Sequence, residues 1–264
     1  MTTPDTTFAD RAVEVLREHH ERLAKTIAGL SAEQLEGPSA ASEWSLAQVL
    51  SHLGSGAEIW YGPYAAALSG DPAPEVDNQS VWDRWDASSP QEQADGFLEH
   101  DERFVALLEG ASPEQRASVR VDLGFLPEPA TLSLALGMRV NEVAAHTWDV
   151  LAGLDHDAAL DSTAAGLVLE QYAGEGAYMA GFIGKPDQLT DPAVVGLGDH
   201  TLRIAETISL EAGTSQELTA TLHAPVEAAV RLLSGRLKPG FTAEDITVSG
   251  NVSLEDLRRV FPGY

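Results

Sequence analysis

Three side chains in this sequence have the types and spacing for metal chemistry. Glu142 and His146 stand four apart in MRVNEVAAHTWD, residues 138–149, a stretch of helical periodicity, so they share one helix face. His52 falls in an earlier apolar-periodic run, EWSLAQVLSHL, residues 43–53. Two imidazoles and a carboxylate form a ligand set that catalytic zinc accepts, with a position left open for water or another ligand. An ion held this way lowers the pKa of an incoming thiol or water, or polarises a substrate oxygen. Spacing alone does not select this reading. Glu-x-x-x-His is common in ordinary acidic helices, where it means a packed histidine beside a solvated glutamate.

Other residues offer supporting chemistry, each beside a plainer role. Asp149, three beyond His146, could orient its imidazole or lie in solvent. Arg139, one turn before Glu142, could face the mouth of a site or form a local ion pair. Glu58, six beyond His52, is an alternative acid/base group displaced around the same helix. His19 and His20 are adjacent and point in different directions; with Glu18, Glu21 and Arg22 around them they read as a solvated helix face.

Positioning these groups requires helices. Helical periodicity runs over residues 8–30, and a polar connection with Gly37 and Pro38 follows. A second helix begins between Ser42 and Ser45 and stops near Gly70-Asp71-Pro72. Trp44 at its start could seal the bundle end or simply pack there. Residues 71–80 form a loop by composition. Trp82 and Trp85 beyond it staple the loop to the helices or line an entrance. Pro90 opens a third helix ending near Gly110, a position where its missing N–H costs nothing. Short alternation surrounds Val119 and Val121. A fourth helix spans residues 131–151, with Gly153 as its stop, and a fifth spans 162–182, weakened by Gly166, Gly174, Gly176 and Gly181. Helices of this length with short connections predict a four-helix bundle with additions.

The signal then changes. Residues 184–198 are turn-rich and read as a linker or domain edge. Strands are expected at 203–210 and 217–223, joined by the turn EAGTS, then a helix at 225–233 closed by Gly235. A short strand at 245–248 and an amphipathic stretch at 253–261 complete the chain. The expected organisation is α+β: a helical domain over residues 1–184 and a smaller domain over 185–264.

Composition excludes several function classes. The 264 residues carry 16 basic and 41 acidic side chains, a formal charge of -25, which disfavours nucleic acid and anionic membrane as partners. Cysteine is absent, so disulfides, thiolate metal sites and cysteine nucleophiles are excluded, and any thiol must arrive as a cosubstrate. No signal-like N-terminus and no membrane-length apolar stretch is present, which leads to the expectation of a cytoplasmic protein.

The runs EWSLAQVLSHLGSGAEIW and MRVNEVAAHTWDVLAG, with His52 in the first and Glu142 and His146 in the second, resemble the mycothiol-dependent maleylpyruvate isomerase family. The resemblance covers roughly residues 9–182. It implies a DinB-like metal-binding bundle, a smaller C-terminal α/β sandwich-like domain, and a divalent ion, typically zinc, on His52, Glu142 and His146. It further implies mycothiol as the thiol cosubstrate. Its thiolate would add to an activated alkene and be eliminated after rotation in an isomerase, or attack an electrophile in an S-transferase. Within APVEAAVRLLSGRLKPG, Arg231 and Arg236 match an R-x-x-x-G-R-like run, making Arg231 the first anion-contact candidate and Arg236 the second. Arg231 and Arg139 are the expected catalytic arginines. The tail SGNVSLEDLRRVFPGY departs from the isomerase ending. The leading expectation is therefore a metal- and mycothiol-dependent S-transferase acting on a small electrophile. Maleylpyruvate cis–trans isomerisation, a non-catalytic metal or ligand binder, and a metal-assisted hydrolase are the alternatives.

Overall fold

In the computed structural model, residues 7–263 are described, and the chain divides into two compact units, Met1–His156 and Asp157–Tyr264. The first contains α1 (Phe8–Ile27), α2 (Ala32–Leu35), α3 (Leu46–Ser69), α4 (Asn78–Asp86), α5 (Pro90–Glu109) and α6 (Pro113–Ser118). A two-residue ladder pairs β1 (Arg120–Val121) with β2 (Ala130–Thr131), and α7 (Leu132–Leu154) closes the unit. Helix starts are written locally. Ser45 caps α3 in a reciprocal box with Gln48, Ser89 caps α5 with Glu92, and Pro90 occupies the first turn.

The four long helices close a ring in which α3 packs on α5, α5 on α1, α1 on α7 and α7 on α3. Leu16, Leu23, Leu50, Leu53, Phe97, Phe104 and Trp148 fill its centre. This is the expected four-helix bundle with additions. Trp85 of α4 is a staple: it is 3% exposed and lies where α3 and α5 are cut back, since a Cβ at Gly54 or Gly96 would sit 2.3 or 2.8 Å from its ring. Trp82, nearly half exposed, stays at the surface.

The second unit begins with α8 (Ser162–Ala173), which stops at Gly174; a 3-10 turn, Ala177–Phe182, replaces the rest of the expected 162–182 helix. Five strands follow: β3 (Ala193–Leu197), β4 (His200–Ile204), β5 (Ile208–Ala212), β6 (Ala220–His223) and β7 (Thr247–Gly250), with α9 (Val226–Leu233) and α10 (Leu254–Val260). Their order is β5-β4-β3-β6-β7; β3 and β6 are parallel and every other pair is antiparallel. Buried Val195, Leu197, Leu202, Ile204, Ile208 and Leu210 form the inner face.

Three expectations change here. The unit boundary falls at His156/Asp157, not at residue 184, because α8 packs on α9 and β5. The expected linker contains β3, the central strand, whose pairing on both edges holds AVVGL extended despite the glycines and prolines around it. The single strand expected at 203–210 is a tight hairpin, with Ala205 N–H donating to the carbonyl of Thr207. No helix among the described residues is long and apolar enough to cross a membrane.

Candidate metal centre

Helix α3 presents His52 two turns after its cap, and α7 presents Glu142 and His146 on one face. The three converge: one ligand atom from each can be chosen so that all lie within 4.8 Å of one another. His52 Nε2 is 3.1 Å and His146 Nε2 3.6 Å from Glu142 Oε2. Ligand atoms on a tetrahedral zinc with bonds near 2.0–2.1 Å stand about 3.3 Å apart, so these separations suit such an ion. His146 Nδ1 is 2.9 Å from Asp149 Oδ2, and Asp149 is fully buried. That partner assigns the proton to Nδ1 and leaves the Nε2 lone pair directed at the site, the carboxylate–histidine arrangement common around ligated metals.

Burial alone would raise the pKa of Glu142. The hydrogen bond with His52 and, in the acid range where the imidazoles are protonated, the charges of His146, His52 and Arg139 outweigh it and bring the carboxyl down to about 2. Glu142 is therefore a carboxylate at neutral pH, as a ligand must be. The indole of Trp44 stacks 5.8 Å from the His146 ring and lies 5.2 Å from that of His52, while remaining 39% exposed. Its loop is pinned to α7 by Ala40 N–H, which donates to the carbonyl of Asp149 (2.9 Å), and is closed on itself by Ser39 Oγ, which donates to the carbonyl of Trp44 (2.7 Å).

The remaining candidates lie elsewhere. Arg139 does not open to a mouth; it is 3% exposed and held by Asp101 and the carbonyl of Leu53. Glu58 binds Arg84 and accepts from Trp85 Nε1 at 2.8 Å, tying α4 to α3. His19 and His20, expected in solvent, are buried, because they fall in the same helical phase as Leu16 and Leu23. In the second unit, Arg231 is 5% exposed; it grips Glu227 with two bonds of 2.6 and 2.8 Å and donates to the carbonyl of Phe241. Arg236 is half-buried, with Nη1 on the carbonyl of Ser234. Sequence reasoning passed over Asp101; its only signal was an acidic residue in the phase of the buried Phe97 and Phe104.

Comparison with known proteins gives a consistent picture. The chain is 29% identical over 164 residues to Rv0738 of Mycobacterium tuberculosis (strain ATCC 25618 / H37Rv), an uncharacterized protein, covering 59% of this chain and 79% of the relative. MT0763 of strain CDC 1551 / Oshkosh, also uncharacterized, matches equally. Among solved structures, the crystal structure of the mycothiol-dependent maleylpyruvate isomerase superposes with a TM-score of 0.63 at 16% identity, covering 96% of this chain and 98% of that one. A histidine-to-alanine mutant of that isomerase superposes equally well. At such identity these matches speak for the fold. Residues 16–151, more than half of the chain, match the mycothiol maleylpyruvate isomerase N-terminal domain. The chain belongs to that family.

Proposed function

We propose that the protein is a metal- and mycothiol-dependent cis–trans isomerase acting on maleylpyruvate or a closely similar small cis-alkene acid. The observation that carries this reading is the convergence of His52, Glu142 and His146 within a region that matches the isomerase family. Sequence reasoning favoured the broader S-transferase; the family and fold matches support the isomerase better.

His52 and His146 would hold a divalent ion through Nε2 and Glu142 through a carboxylate oxygen, with zinc the metal this donor set suits best. When bound, the ion supplies a Lewis acid that favours the thiolate of mycothiol, the nucleophile whose reversible addition allows a cis double bond to become trans. The protein's own residues do the rest. Asp149 keeps the proton of His146 on Nδ1 and so keeps Nε2 available. Glu142 contributes negative charge at neutral pH without having to lose a proton first. Trp44 covers the imidazoles on the side that faces solvent. Of the R-x-x-x-G-R-like run, the half-buried Arg236 is the proposed contact for substrate or thiol anions, while Arg231 is buried on Glu227 and supports its own helix.

The test is a substrate panel on zinc-loaded protein. Maleylpyruvate should isomerise only with mycothiol present, and a chelator or His52→Ala should reduce the rate at least about 100-fold. Mycothiol consumption across alkylating electrophiles, with maleylpyruvate unchanged, would replace the isomerase with the S-transferase.

A further inference from the structure

The bundle holds a second polar cluster that the proposed chemistry does not use. Arg139 on α7 is 3% exposed, and its Nη2 donates both to Asp101 Oδ1 of α5 at 2.8 Å and to the carbonyl oxygen of Leu53 on α3 at 3.0 Å. Asp101, equally buried, turns its other oxygen to His20 Nδ1 of α1 at 2.9 Å. Each of the four long helices thus gives one partner to a single buried node. Two of those partners adjoin the candidate ligands in sequence: Leu53 follows His52, and Arg139 stands one turn before Glu142.

A buried ion pair is weak evidence of stability. Desolvation cancels much of the attraction, and apolar residues of similar volume commonly replace such a pair without loss. Its particular contribution is geometry. Apolar side chains tolerate a slide of one helix along another, whereas a guanidinium bound to one carbonyl and one carboxylate fixes both the slide and the rotation. The separation of His52 on α3 from Glu142 and His146 on α7 depends on those two movements. Helix α3 is shaped to the guanidinium as well: a Cβ at Gly56 would stand 3.1 Å from Arg139 Nη1.

The geometry points to Asp101 and Arg139 as positioning residues that set the ligand separation of the metal centre, an inference that rests on the metal reading of that centre. The double variant Asp101→Leu/Arg139→Met removes both charges together and avoids stranding one. Thermal unfolding reports its stability, and Co(II) titration, followed by visible absorption and equilibrium dialysis, reports the site. The expected result is a folded protein with Co(II) affinity reduced about tenfold or more and an altered visible spectrum. A folded double variant with wild-type affinity and spectrum overturns the inference. If that variant does not fold, Gly56→Ala replaces it, keeping both charges and pressing only on the guanidinium. Weaker Co(II) binding by folded Gly56→Ala is expected, and wild-type affinity there overturns the inference equally. A wild-type protein that binds no Co(II) overturns both this inference and the metal reading. One that binds Co(II) but does not isomerise maleylpyruvate ends the proposed reaction, and the affinity comparison still decides this inference.

Discussion

Trp44 is the indole whose ring packs on the two ligand imidazoles among the described residues. That contact makes it a reporter for the site. Co(II) binding should quench tryptophan emission in the wild type. Trp44→Phe should lose most of that quench while keeping Co(II) affinity within a few-fold, as equilibrium dialysis would show; an undiminished quench would place the ion away from Trp44. Glu142 and His146 were legible as one helix face from their spacing, and Asp149 as a neighbour of His146, whereas His52, on another helix, was joined to them through the family resemblance of its run. The burial of Arg139 and of the two histidines of α1 was not read: the phase of Leu16 and Leu23 marks the histidines, but a charged residue in a helix carries no mark of the partner it meets. Two of them, Arg139 and His20, are matched in the interior by one carboxylate 38 and 81 positions away, Asp101.

Among the elements, the approach of the 37–45 loop to α7 depends on one missing side chain. A Cβ at Gly153 would stand 2.7 Å from the carbonyl oxygen of Pro38 and 2.8 Å from the Cα of Ser39. Glycine to alanine in a helix ordinarily stabilises. Here Gly153→Ala should instead destabilise by about 1–3 kcal/mol, through backbone that has nowhere to move. Urea unfolding measures the sign, and a red shift of tryptophan emission would show Trp44 lifting with its loop. In the sequence Gly153 reads as a helix stop, yet α7 continues to Leu154, and close approach is what requires the glycine. Helix starts were easier to place, since Ser45 and Ser89 with their partners three residues on encode them locally. Strand β3 was hidden because a five-residue run beside glycines and prolines carries little pattern of its own; its hairpin with β4 is local, but its other partner, β6, pairs from 25 positions on, Val195 with Ala220.

At the scale of the whole molecule, 41 acidic side chains make the response to acid a large-scale property. Arg17 of α1 binds both Glu102 and Glu109 of α5, and its hydrogen bonds hold both carboxyls below their ordinary value of 4.5. Carboxylates lowered by folding stabilise the protein above the unfolded-state pKa, and that stabilisation is lost as pH falls through the folded-state values. Unfolding free energy should therefore decline below about pH 4.5. Because both glutamates are more than four-tenths exposed, solvent screening limits the effect of Arg17→Ala at pH 7 to about 0.5–1 kcal/mol. Urea unfolding at pH 7 and pH 3.5 should show wild type and variant converging in acid.

The capping boxes divide the molecule further. The boxes of α1, α5 and α10 close through Asp10, Glu92 and Asp256, all of which can be protonated. Those of α2, α3 and α6 close through Gln34, Gln48 and Gln115, which cannot. Acid that loosens the first turns of α1 and α5 therefore leaves intact the clasp at the start of the helix that carries His52. In amide hydrogen exchange at low pH, the residues after Ser89 should lose protection before those after Ser45.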